Sequence, residues 1–218
     1  MTLDFGVILP YWPVILQGLG WTVLVTALAG TLSIVLGTGI ALTAQYGAAA
    51  LIVPMRAIIF LFMATPLLLQ LYLLYYGLSQ IGIMLPAFWT GVAGLGVHYA
   101  AYNADIVRSS LQAVDPGQTE AARTLGFGRW ATLRHFIVPQ ALLIAFPSVG
   151  NNCIILLKDT AVLSVIGITE LVLESQRAIS ETYRPFEFYF TAAVCYYVVN
   201  LVMEWLLAGA ARRAEEIR

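Results

Sequence analysis

Five long, predominantly apolar runs constrain this chain more than any other feature of its sequence. They fall at about 14–45, 56–77, 88–109, 136–157 and 186–210, and each reaches the roughly 20 residues that carry a helix across about 30 Å of hydrocarbon. Backbone amides find no water there, so each run has to close its hydrogen bonds within itself as a helix. The expected fold is an all-α membrane protein, one membrane-spanning domain over residues 1–218. Composition agrees: 60% of residues are hydrophobic and 11% charged, where soluble domains carry about half and about a quarter. The net charge of −1 averages over segregated faces, and nothing suggests a nucleic-acid partner. Cys153 and Cys195 have apolar neighbours and neither metal nor disulfide spacing, so they read as buried thiols. The chain start lacks basic residues, and the run after Tyr11 is too long for the core of a cleaved export signal.

Asp105 to Pro139 is the longest polar interval, and it holds Arg108, Arg123, Arg129, Arg134 and His135. The positive-inside bias puts that interval on the cytoplasmic face. Asp115-Pro116-Gly117-Gln118 reads as a helix start, with an acidic cap, proline at the first helical position and Glu120 in the first turn. A short helix over about 116–125 is predicted. Gly126 and Gly128 then break it, and a second helical stretch from Arg129 enters the membrane at Phe136. The product is a hairpin, 115–135, outside the bilayer and tied at both ends to membrane helices.

Glu120-Ala121-Ala122, Gly126 and Phe136-Ile137-Val138-Pro139 stand at the spacing of the EAA motif and resemble that motif of ABC importer permeases. Phe136 and Val138 replace the usual isoleucine and leucine. Tyr102 to Arg108, Pro116-Gly117-Gln118, Leu157-Lys158-Asp159-Thr160 and Thr65-Pro66-Leu67-Leu68-Leu69-Gln70 are similar to the polar amino-acid uptake subfamily, of the histidine, glutamine and arginine permease type. The resemblance covers about residues 14–213. It implies a type I ABC importer permease of about five transmembrane helices in a bacterial inner membrane. It implies as partners a cytosolic ATPase dimer, a second permease subunit, an extracytoplasmic substrate-binding protein and an amino-acid substrate, or another small polar solute such as an opine or cystine. It further implies that Glu120, Ala121, Ala122, Arg123 and Gly126 form the contact that couples the membrane part to the ATPase. The chain itself carries no glycine-rich phosphate loop ending in Lys-Ser or Lys-Thr, so ATP and Mg belong to the partner and this chain is expected to be neither an enzyme nor a cofactor carrier.

Inside the membrane, Pro66 is expected to kink the second span and free a carbonyl beside Thr65 and Gln70. Gln70 then either lines a substrate path or holds helices together. His98, Tyr99, Tyr102 and Asn103 make the second half of the third span polar, and a lone membrane histidine reads as a hydrogen-bonded packing residue. Asp105 and Arg108 are spaced to pair. The fourth span is expected to be interrupted at Pro147 and Gly150 before Asn151 and Asn152. Lys158 and Asp159 follow, where charge is costly, so they pair, bind something or meet water. Gln70, Tyr102, Asn152, Lys158 and Asp159 are the candidates for a substrate path. An amphipathic stretch over 167–183 sets Ile168, Leu171, Val172 and Ile179 against Glu170, Glu174, Arg177 and Glu181, too charged to span, and is expected at the outer surface.

Five crossings with the hairpin inside put the amino terminus outside and the carboxyl terminus in the cytoplasm. Arg56, Arg108, Arg123, Arg129, Arg134, Arg212, Arg213 and Arg218 then lie inside, with Lys158, Arg177 and Arg184 outside. Other classes fit less well. An intramembrane hydrolase lacks a serine with a histidine placed to serve it, a haem anchor needs two membrane histidines, and a secondary transporter usually shows an inverted repeat.

Overall fold

A computed structural model describes residues 3–216 of the chain. Its regular elements are all helical, and Arg218 of the charge argument lies outside the described residues. A 3-10 turn over Phe5–Tyr11 leads into α1 (Trp12–Tyr46), with Pro13 in its first turn. The buried residues of α1 recur every three to four positions, from Gly18, Thr22 and Ala29 through Ser33, Gly37, Ala41 and Ala44. That spacing is one stripe on a helix of 3.6 residues per turn. The residues are small because lipid supplies no hydrophobic drive between helices; close packing and interhelical hydrogen bonds have to hold the bundle.

The helix this stripe meets is α5 (Ala87–Ala113), which buries more named positions than any neighbour. At Gly37 the approach is closest: a Cβ there would lie 2.8 Å from Asn103 Cβ and 2.9 Å from the Ala100 carbonyl. Only glycine fits. Among the described residues the apolar packing divides into three clusters, two of which include residues of α5. One lies at mid-bundle around Leu71, Leu95, Leu156 and Leu163. Another lies at the hairpin end around Val107, Leu111, Leu133 and Ile137, and the third at the opposite end around Ile15, Leu171 and Phe188.

The second run differs from expectation. α2 (Ala49–Ala64) starts ahead of the run expected from about residue 56, because Ala48 in extended geometry precedes alanines that are strong helix formers. The kink at Pro66 is a bend of 107° between it and α3 (Leu67–Tyr72), which continues through a π-helical turn (Leu73–Gly77) into α4 (Leu78–Gln80). Proline 66 has no N–H to give the Phe62 carbonyl. Gln70 Nε2 replaces it, 2.9 Å from Phe62 O, and also reaches Thr65 O at 3.0 Å and Thr65 Oγ1 at 2.7 Å.

Among the described residues, three helical stretches are long and apolar enough to cross a membrane (Phe5–Tyr46, Arg129–Ile166 and Pro185–Arg213), or four if the bent pair is one span. The polar half of α5 keeps it below that apolarity, although its 27 residues are long enough. It is enclosed by the others. The hairpin follows as α6 (Pro116–Thr124) and α7 (Arg129–Thr132), and a π-helical turn (Leu133–Ile137) joins α7 to α8 (Val138–Asp159). The expected interruption of the fourth span is absent: α8 runs through Pro147, whose fixed φ suits a helix and whose missing donor costs one bond, and Gly150 packs against Leu207. A 3-10 segment (Thr160–Ile166) leads to α9 (Leu171–Thr182), and α10 (Pro185–Glu216) closes the chain.

Candidate functional site

Two groups of residues carry the chemistry. The first is the hairpin. Asp115 caps α6 by accepting from Gly117 N at 2.8 Å, as the sequence predicts, but Glu120 lies beyond the first turn rather than in it. At the other end Phe127 N donates to Ala122 O at 3.0 Å and Gly126 N donates to Arg123 O at 2.9 Å, with Gly126 left-handed at φ +84°. Crossed bonds of that kind terminate a helix on glycine and satisfy its last carbonyls. α6 is therefore a rigid body stopped at both ends.

Of the five predicted coupling residues, Ala122 is buried against the bundle, while Glu120, Ala121, Arg123 and Gly126 are exposed. A small side chain suits that buried position, and the carboxylate of Glu120 has no ion-pair partner among the described residues. Phe127 meets Phe136 edge-to-face at 5.0 Å, which pins the returning turn to the foot of α8. Sequence reasoning treated Phe136 as a mere departure from the motif; its ring partner nine positions earlier was the missed signal. Leu125 and Trp130 are 73% and 77% exposed, so the hairpin presents large apolar side chains as well as a carboxylate.

The second group lies between α5 and α8. Tyr99 and Asn103 are four apart on α5, and Asn152 and Asp159 are seven apart on α8, so each pair shares a face. They meet as two rungs: Tyr99 Oη donates to Asp159 Oδ2 at 2.6 Å, and Asn152 Nδ2 donates to Asn103 Oδ1 at 3.0 Å. Asn103, buried, donates in turn to Ser33 Oγ on α1 at 3.0 Å. His98 Nδ1 lies 2.9 Å from Gln70 Oε1, and its ring packs on Tyr102 at 5.2 Å. The lone histidine is a hydrogen-bonded packing residue, as expected.

The five path candidates are thus not one cluster. Gln70, Tyr102 and Asp159 are linked through His98 and Tyr99, and Asn152 joins the asparagine rung. Lys158, about 100° round the helix from Asp159, does not pair with it and opens instead onto a cavity of about 440 Å³ with Tyr196, Tyr197 and Asn200. Asp105 and Arg108 do pair, at 2.7 Å, but both are partly exposed and such a pair is worth little.

At the opposite end from the hairpin, Glu170 corrects the helical-wheel reading. It was grouped with the polar face of the 167–183 stretch, yet it is 0% exposed. Both oxygens cap its own helix, accepting from Val172 N and Leu173 N at 2.8 Å, and Tyr196 Oη adds a third bond at 3.1 Å. Burial pushes its pKa up to about 7, against the lowering effect of those donors. Periodicity cannot show this, because a cap residue precedes the helix whose face it would be assigned to.

Comparison with known proteins adds family evidence. Residues 33–216 match the model for the binding-protein-dependent transport system inner membrane component. The octopine transport system permease protein OccM of Rhizobium radiobacter is 34% identical over 209 residues, covering 88% of this chain and 85% of that one. The arginine transport system permease protein ArtQ of Bacillus subtilis is 31% identical over 214 residues, covering 98% of each. A crystal structure of an amino acid ABC transporter superposes with a TM-score of 0.91 at 40% identity, covering 98% of this chain and all of that one. The MetNI methionine transporter, at 19% identity and TM-score 0.77, shares the fold.

Proposed function

Because the chain belongs to the family of inner membrane components of binding-protein-dependent transport systems, we propose that it is the permease subunit of an ATP-driven importer of polar or charged amino acids. It is a multi-pass inner membrane protein of the type I importer fold. The reading is carried by one observation: a helix capped by Asp115 and closed on Gly126 stands exposed between α5 and α8, with Glu120 outward and unpaired.

A partner ATPase that grips α6 has a rigid handle joined covalently to the two helices that hold the polar rungs. Movement of the handle shifts α5 against α8, and the rungs at Tyr99–Asp159 and Asn103–Asn152 then re-form or break. ATP and Mg bind to the ATPase dimer and bias this two-state element through differential contacts with the hairpin. A second permease subunit, of the same or a sister sequence, completes the path, and a binding protein delivers substrate at the face carrying α9. In this arrangement the hairpin and the carboxyl terminus are cytoplasmic and the amino terminus is outside.

Along the path, Asp159 offers a carboxylate to a substrate ammonium or guanidinium, with Tyr102 one ring contact beyond Tyr99. Asn152 is a donor to a substrate carboxylate when its rung opens, Lys158 supplies a cation from the separate cavity on its own side of α8, and Gln70 sets the bend of the wall. Relatives that carry octopine and arginine support a solute bearing a guanidinium. The test is purification of the chain with its natural partners and measurement of which amino acids stimulate ATP turnover. An ATPase subunit should co-purify, and Glu120→Arg should abolish uptake. Recovery without an ATPase, together with unchanged uptake by that variant, would sink the reading.

A further inference from the structure

Behind the hairpin, where the end of α1 passes α6 and α7, lies a cavity of about 220 Å³. Tyr46, Thr119, Arg123, Arg129 and Thr132 line it, together with Leu133 and Ile137. Neither arginine has a carboxylate within ion-pair distance among the described residues. Thr132 adds an unsatisfied group beside them. It is 4% exposed, and its hydroxyl has no hydrogen-bond partner, although its backbone amide bonds Gly128 O at 2.9 Å. Elsewhere in these helices a threonine hydroxyl donates to the carbonyl four residues back, as at Thr26, Thr43, Thr65, Thr124 and Thr191. A buried hydroxyl left without a partner is destabilising unless something meets it.

We propose that this cavity binds one phosphate group, presented by an anionic lipid headgroup or as free phosphate. Phosphate oxygens take bidentate donation from guanidinium and single bonds from hydroxyls, which matches two arginines, a threonine and a tyrosine around one space. Bound there, the phosphate ties α6 and α7 to the end of α1, so it stiffens the handle. Only the lipid source rests on the hairpin lying at the cytoplasmic membrane surface; phosphate binding itself does not.

The experiment uses the complete transporter, purified in a neutral detergent and stripped of lipid. One arm titrates phosphatidylglycerol and the other inorganic phosphate, with native mass spectrometry counting bound molecules per permease chain. Saturable binding of one phosphatidylglycerol, not matched by phosphatidylcholine, is expected from the lipid source; saturable inorganic phosphate alone identifies the free anion. In whichever arm binds, Arg129→Gln should weaken affinity at least tenfold and the isosteric Thr132→Val about threefold, with unfolding midpoints recorded alongside. Should Arg129→Gln misfold, Thr132→Val decides. The inference is overturned by no saturable binding in either arm, or by binding indifferent to these substitutions. It is equally overturned if the lipid and phosphate arms are empty and Arg129→Cys cross-links to an acidic surface of the ATPase. Uptake is not the readout, so failure here leaves the importer reading standing, and failure of Glu120→Arg to block uptake leaves this one standing.

Discussion

Single residues decide how this membrane protein tolerates polar groups. Gln70 fills the donor that Pro66 removes, so Gln70→Leu leaves Phe62 O and His98 Nδ1 without partners in a dry interior. Loss of about 1–3 kcal/mol is expected, read as a lower unfolding midpoint in detergent, while Gln70→Glu at low pH should recover part of it. Glu170 makes a different prediction. Its folded pKa of about 7 lies above the ordinary value of 4.5, so the native state holds the proton more tightly than the unfolded chain. Stability is therefore full below about pH 4.5, falls as pH rises to about 7, and stays lower above, by about 3 kcal/mol at 1.36 kcal/mol per unit. Glu170→Gln should flatten that difference: the midpoint of wild type relative to the variant drops between pH 4.5 and 7. A constant offset across that range would show that Glu170 does not titrate there.

At the scale of elements, α6 is a lever only while both its ends hold. Asp115→Ala removes the cap bond to Gly117 N and should cost about 1 kcal/mol of local helix stability. Gly126→Val forces a β-branched residue to φ +84°, at a further cost of about 1–2 kcal/mol. Frayed ends absorb motion that would otherwise reach α5 and α8. More ATP hydrolysed per substrate carried is the expected outcome, measured in proteoliposomes; unchanged stoichiometry in both variants would show that the caps do not matter to coupling. The hairpin itself was legible in the sequence, because caps and glycine stops are local chemistry. The 107° bend was legible only as a kink, since proline specifies that a bond is lost and not which side chain replaces it.

For the whole molecule, the arginine bias predicts one orientation. Thr124→Cys on the hairpin and Ser180→Cys on α9 are both exposed positions, and neither native thiol is, since Cys195 is buried and Cys153 half-buried. A membrane-impermeant maleimide should label Ser180→Cys in intact spheroplasts and Thr124→Cys only in inverted vesicles. The reverse pattern would overturn both the orientation and the assignment of the driver.

Apolar run lengths and the cap and stop residues of the hairpin were enough to specify an all-helical membrane chain with one short helical hairpin between two of its long helices. Each follows from neighbours in sequence: a helix needs its length, a cap needs its first turn, and charge avoids hydrocarbon wherever it occurs. Which polar groups meet was decided only by tertiary structure. Ser33 and Asn103 lie 70 residues apart, and Tyr99 and Asp159 lie 60 apart. Nothing local distinguishes a serine that will face an asparagine from one that bonds its own helix, and the burial of Glu170 depends on Tyr196 arriving from α10. Those pairings rest on how closely small residues such as Gly37 let the helices approach, and closeness is a property of two surfaces at once.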